Sequence, residues 1–120
     1  MIILLYAEGT KELNYQIAHI DYQNNDGKTA LMFAVINGNI QVVQALVTHG
    51  ADIHIQDNDG TTALMFAVEN LEIEAVRALV NYGANIHVQD NTGRTALSIA
   101  TEIGNMEILH LLQKIADARK

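Results

Sequence analysis

Asn25-Asp26-Gly27-Lys28-Thr29-Ala30-Leu31-Met32-Phe33-Ala34-Val35 returns 33 residues later as Asn58-Asp59-Gly60-Thr61-Thr62-Ala63-Leu64-Met65-Phe66-Ala67-Val68. After a further 33 residues it returns in outline as Asn91-Thr92-Gly93-Arg94-Thr95-Ala96-Leu97-Ser98-Ile99-Ala100. A period of that length marks a repeat architecture, in which each copy is a supersecondary unit that buries its apolar face only against a neighbouring copy.

Within one copy the residues spell a turn and two short helices. Asp26-Gly27 is a tight-turn dipeptide, because glycine tolerates positive φ and aspartate bonds nearby backbone. Thr29 is a natural N-cap for a helix carrying Ala30, Leu31, Ala34 and Val35 inward. Asn37-Gly38-Asn39 ends that helix, with Gly38 as left-handed cap. A second helix is expected from about Ile40 to Thr48, burying Ile40, Val43, Leu46 and Val47 and closed by Gly50. Each helix is shorter than the roughly 12 to 15 residues at which an isolated helix becomes marginal. The unit must therefore lean on a copy of itself.

Asp57 to Gln89 supplies that copy, and the residues it retains are apolar, turn and glycine positions. One departure stands out, since Leu71 holds the place of the inter-helix Gly38; leucine suits positive φ poorly, so Asn70 is expected to take that conformation or the loop to be reshaped. The third copy, from Asp90 to about Ala116, has Ala116-Asp117 where the others have Gly50-Ala51 and Gly83-Ala84. Its last helix should run on toward Arg119, and Gln113, Lys114, Asp117, Arg119 and Lys120 read as a polar terminal cap with basic residues at the helix C-terminus.

Residues 1–23 read as a degenerate, shortened copy. Ala18-His19-Ile20-Asp21-Tyr22-Gln23 aligns with Ala51-Asp52-Ile53-His54-Ile55-Gln56. Before Leu13 a few residues are missing. A short helix over Ile3 to Ala7 and a second one capped by Thr10 are expected, and the apolar Ile2 to Tyr6 strip is too short to span a bilayer. The chain thus divides into one domain of four units: 1–23, 24–56, 57–89 and 90–120.

Composition narrows the function classes. Of 120 residues 49% are hydrophobic but only 5% aromatic, a balance suited to helices packed through Ala, Leu, Ile and Val. Seven basic against fourteen acidic residues give a formal net charge of -7, which argues against a surface that tracks phosphates or adsorbs on anionic lipid. A neutral or basic partner surface fits better. The chain contains no cysteine, so disulfides and thiolate chemistry are absent, and cytoplasm is the default compartment.

At this point the chain resembles the ankyrin repeat family, whose 33-residue pattern is met by Gly27, Thr29, Leu31, Ala34, Gly38, Val43, Leu46, Gly50, Ala51, Asp52 and Ile53 and by their equivalents in the next copy. The resemblance spans about residues 10 to 116. It implies an all-α solenoid of stacked helix-turn-helix units joined by β-turn fingers. The family's proline is Ala30, Ala63 and Ala96 here, and its histidine is Met32, Met65 and Ser98, of which the methionines are expected as core filler. Its end-of-repeat asparagine, a hydroxylation site in such repeats, is His54 and His87 here.

No constellation points to catalysis, a cofactor or a metal. His54 and His87 hold the same place in successive copies, and stacked helices lie roughly 8 to 10 Å apart, too far for both to ligate one ion at about 2 Å. His19, His49 and His110 have no partner at helical spacing. Ser98, expected to be buried, has no nucleophile elbow. The pairs Glu72 with Glu74 and Asp57 with Asp59 are expected on exposed loops or helix faces, solvated.

What remains is a surface. In the family it consists of the fingers and the inward side of each first helix, which here are Gln23, Asn25, Asp26, Lys28, Ile36 and Asn37, then Gln56, Asn58, Asp59, Thr61, Glu69 and Asn70, then Gln89, Asn91, Thr92, Arg94, Glu102 and Ile103. Several are positions at which near-identical copies differ: Lys28 becomes Thr61 and Arg94, and Ile36 becomes Glu69 and Glu102. The resulting expectation is a non-enzymatic module binding a protein segment, through hydrogen bonds from Asn and Gln fingers and apolar contacts at Ile36 and Ile103. The alternatives are a structural or self-associating piece of a longer array, with the homo-oligomer less favoured, and a regulatory subunit that targets another protein.

Overall fold

The computed structural model describes residues 19–119. The expected degenerate N-terminal unit, its two helices and the Ile2 to Tyr6 strip fall on residues 1–18 and so lie outside the described residues, as does Lys120. Six helices follow one another: α1 Ala30–Ile36, α2 Ile40–Thr48, α3 Ala63–Glu69, α4 Ile73–Asn81, α5 Ala96–Ile103 and α6 Met106–Ala118. No strand occurs among the described residues.

They pair as α1 with α2, α3 with α4 and α5 with α6. First helices then stack in the order α1, α3, α5 and second helices in the order α2, α4, α6. The small residues of the first helices permit this, for Ala30, Ala34, Ala63, Ala67, Ala96 and Ala100 are all buried. Between the layers lie Val35, Val43, Leu46, Leu64, Val76, Leu79, Ile99, Ile108 and Leu112 in one apolar core. Met32 and Met65 are 1% exposed, filling that core. Ile40 and Val47, expected inside, sit half-buried at its rim.

Each first helix starts on a threonine hydroxyl. Thr29 Oγ1 accepts from Met32 N and Thr62 Oγ1 from Met65 N, both at 3.2 Å. At α5 the bond is reciprocal, Thr95 Oγ1 accepting from Ser98 N and Ser98 Oγ from Thr95 N, a capping box. Ser98 is therefore half-buried at a helix start, not enclosed as its repeat position implied. Asn39 and Asn105 cap α2 and α6 in the same manner, whereas Glu72 provides α4 with no side-chain cap.

At the inter-helix turns the first two units close alike. Gly38 N donates to Val35 O and Asn39 N to Ala34 O; Leu71 N donates to Val68 O and Glu72 N to Ala67 O. This paired closure forces the residue after the cap into the left-handed region. Leu71 adopts it itself at φ 58 while Asn70 stays at φ -93, so the strain does not move to asparagine and the loop is not reshaped. The hydrogen-bond geometry outweighs the roughly 1–2 kcal/mol that a left-handed leucine costs.

The last helix does run on, to Ala118, and Arg119 caps it through its backbone N–H, which donates to Ile115 O, but its side chain does not serve its own helix end. Its guanidinium donates to Val80 O at 2.9 Å, in the last turn of α4, and to Ala84 O at 2.6 Å, in the loop that follows it one unit back.

Candidate protein-binding surface

Each finger is a turn organised by one side chain. Asn24 Oδ1 accepts from Asp26 N and Lys28 N, Asp57 Oδ1 from Asp59 N and Thr61 N, and Asp90 Oδ1 from Thr92 N and Arg94 N. Asp57 and Asp90 are buried, which corrects the reading of Asp57 as a solvated carboxylate. Its signal was present in the sequence, since aspartate two residues before a turn bonds the turn's backbone.

Neighbouring fingers are then laced together. Asn58 N donates to Asp26 O and Asn91 N to Asp59 O, while Asn58 Nδ2 donates to Asn25 O and Asn91 Nδ2 to Asn58 O. Gln23 Nε2 reaches both Gly27 O and Gln56 O, and Gln56 Nε2 reaches Gly60 O and Gln89 O. Both amide hydrogens of each of these glutamines are thus engaged, so what they offer a partner is the Oε1 acceptor. This ladder explains a glycine requirement beyond φ, because a Cβ on Gly60 would lie 2.8 Å from Asn91 N and 3.0 Å from Asp90 Cα. The equivalent Cβ on Gly93 meets nothing within 4 Å.

One groove of about 320 Å³ brings together Lys28, Asp59, Thr61, Glu69, Asn91, Thr92 and Arg94, with Phe66, Asp57 and Asp90 in its wall. Its two cations are committed. Lys28 Nζ lies 3.4 Å from Asp57 Oδ2 and 5.6 Å from the centroid of the Phe66 ring, and Arg94 Nε donates to Asp90 Oδ2 at 3.0 Å. The Thr92 hydroxyl, donating to Asp90 at 2.7 Å, and the Arg94 backbone N–H hold the Asp90 carboxyl well below the usual carboxylate range. Arg94 is shifted up by its bond to Asp90 and, at longer range, by Asp90, Glu69 and Glu102. Asp59, Glu69 and Glu102 are exposed and form no ion pair with a cation among the described residues.

The remaining expected residues divide by exposure. Asp26, Asn37, Asn70, Gln89, Glu102 and Ile103 are exposed, Ile36 is half-buried and Thr61 is buried. Thr61 therefore contributes to the groove floor and little else. A larger hollow, about 590 Å³, lies by Gly83, Asn85, His87, Ala116 and Arg119, but Arg119 is already bonded to Val80 O and Ala84 O. His54 and His87 are exposed, and no group of three or more metal-ligating side chains occurs among the described residues. Nor is any described helix long and apolar enough to cross a membrane.

Helix pairs stacked in register and linked by laced turns define the class: a helical-repeat solenoid. The family model described as ankyrin repeats (3 copies) matches residues 2–90 and, overlapping, 49–120, so the chain belongs to the ankyrin repeats. Among curated proteins, no sequence matches it. Ankyrin repeats in general are non-enzymatic protein–protein interaction modules.

Proposed function

We propose that this chain acts as a single ankyrin domain that holds a segment of another protein in the groove between its fingers and first helices, without catalysing a reaction. The observation that carries the reading is charge: Lys28 and Arg94 are neutralised by their own aspartates, leaving Asp59, Glu69 and Glu102 for a partner. A segment with Lys or Arg side chains fits that arrangement, and nucleic acid or anionic lipid would be repelled. Preorganisation supports it further, because fingers already laced to one another lose little freedom on binding.

The test is affinity capture with cross-linking from Lys28, comparing the native chain with Asp59→Lys plus Glu69→Lys. Loss of the captured partners is expected. Retention of every partner by the charge-reversed chain would remove the groove from consideration.

The third finger favours a second reading. Gly93 faces open space where Gly27 and Gly60 are covered by the next finger, so another finger, from a longer array or a second copy, could stack there. Light scattering over a concentration series checks self-association, and a strict monomer at all concentrations would count against the second copy.

A further inference from the structure

Asn37-Gly38 lies in the turn from α1 to α2, and no other asparagine of the chain precedes a glycine. Both residues are exposed. The middle unit has Asn70-Leu71 at the same place and one bond more, since Asn70 Nδ2 donates to Phe66 O at 2.8 Å. The side chain of Asn37 makes no hydrogen bond among the described residues. Asparagine is thermolabile, because its side-chain amide is open to attack by the backbone nitrogen of the residue that follows. Glycine, without a Cβ, leaves that nitrogen unscreened, whereas Leu71 covers its own with a branched side chain. A free amide and a bare nitrogen thus meet at residues 37 and 38.

We propose that Asn37-Gly38 is a site of self-modification, at which the turn converts Asn37 to a carboxylate with water as co-reactant. Gly38 N bonds to Asn37 Cγ while its proton passes to Nδ2; the Cγ–Nδ2 bond breaks, ammonia leaves, and a cyclic imide closes. Water then opens the imide. Breaking the new N–Cγ bond yields aspartate, and breaking the bond from nitrogen to the original main-chain carbonyl yields isoaspartate, with the chain routed through Cβ. Either product carries a carboxylate where a neutral amide stood.

The fold sets the pace. In the closed turn Gly38 N donates to Val35 O at 3.0 Å and Asn37 lies at ψ -2, so attack waits until that bond opens and the peptide rotates. Opening an exposed turn held by its own backbone bonds is a low-energy local event. The Asp-Gly steps of the fingers are held more firmly, because Asp26 O and Asp59 O each accept from the next finger while Gly27 N and Gly60 N donate within their own. After reaction the new carboxylate stands at the C-cap of α1, where the helix dipole disfavours negative charge. Glu72 adds repulsion, its Oε1 lying 3.0 Å from where a Cβ on Gly38 would sit. Isoaspartate also lengthens the backbone by one atom, which breaks the register of the bonds to Val35 O and Ala34 O. The reaction therefore loosens the unit of α1 and α2, and this proposal is independent of the finger groove.

The experiment ages the full chain in mildly alkaline buffer and follows it by mass spectrometry with peptide mapping. The folded chain is expected to gain one mass unit at Asn37 while Asn70 stays intact, and Asn37→Gln, whose longer side chain closes the ring poorly, abolishes that gain. Held unfolded in urea, the chain should react at Asn37 about tenfold faster, because opening of the turn no longer limits the rate. Leu71→Gly gives Asn70 a bare neighbour but leaves its Nδ2 on Phe66 O, so in that variant Asn70 should react more slowly than Asn37. An Asn37 that stays intact in the folded chain while the unfolded chain reacts, an earlier change at Asp26 or Asp59, or equal rates at both asparagines of Leu71→Gly would each overturn the assignment. So would an Asn37→Asp variant that unfolds at the same urea concentration as the native chain, since the product would then loosen nothing.

Discussion

At one end of the first helices the three fingers repeat the same bonds with the same atoms, Asn58 onto Asn25 and Asn91 onto Asn58, Gln23 onto Gln56 and Gln56 onto Gln89. At the other end the turns read Asn37-Gly38-Asn39, Asn70-Leu71-Glu72 and Ile103-Gly104-Asn105. Backbone there closes on itself, and although the Glu72 carboxylate lies beside Gly38 of the preceding unit, no repeated bond ties one turn to the next among the described residues, and the copies diverge. The contrast teaches where a repeat protein holds its architecture and where it has room for individuality. Sameness at the finger edge follows because each finger must be both donor and acceptor to an equivalent neighbour. At the turns a residue answers first to its own φ.

The sharpest way to break that contrast is Gly60→Ala set against Gly93→Ala. Both glycines are left-handed, at φ 80 and φ 85, so both variants bear the roughly 1–2 kcal/mol cost of that conformation. Only the Gly60 variant also pushes on Asn91 N and the finger bonds around it, and about 3 kcal/mol or more is expected for it in urea unfolding. If the two variants lose the same stability, finger lacing contributes nothing and φ explains the glycines alone.

Next in size is Thr62→Ala, which removes the hydroxyl that receives Met65 N inside the stack and should lower stability by about 1–2 kcal/mol. The same change at Thr95 leaves Ser98 without its reciprocal partner and tests whether the box adds to a single cap. Smaller and opposite in sign, Leu71→Gly should raise stability by up to about 1 kcal/mol, since relief of left-handed strain exceeds the added chain entropy of glycine. A loss on calorimetry would mean that Leu71 packs in the native state more than its exposure indicates.

The smallest effect at neutral pH, and the most specific, belongs to Asp90→Asn. Asn24 already shows that an amide oxygen holds this turn through Asp26 N and Lys28 N, so the variant should keep the finger and lose only the charged bond to Arg94. In the native chain the folded-state carboxyl titrates below its unfolded value. Its stabilisation is thus present above the ordinary aspartate pKa of about 3.9 and is lost as pH falls below it. Acid titration of unfolding should show a steeper decline for the native chain than for Asp90→Asn under about pH 4. Parallel curves would show that other carboxylates dominate acid sensitivity.

The sequence by itself determined the period, the helix pairs, the threonine caps and the methionine cores, because these depend on spacing and local chemistry that every copy restates. It also placed the finger residues together, since equal units stack in register. Tertiary structure alone decided how those residues are used. That Gln23, Gln56, Asn58 and Asn91 donate to neighbouring fingers, that Asp57 is buried beneath Lys28, and that Arg119 closes the end of α4 all depend on contacts between units, to which a one-dimensional pattern is blind. Leu71 shows the limit most clearly. Local propensity moved the strained conformation onto Asn70, but two carbonyls at the end of α3 needed their N–H partners, and that requirement fixed the left-handed residue at Leu71 and left its side chain in solvent.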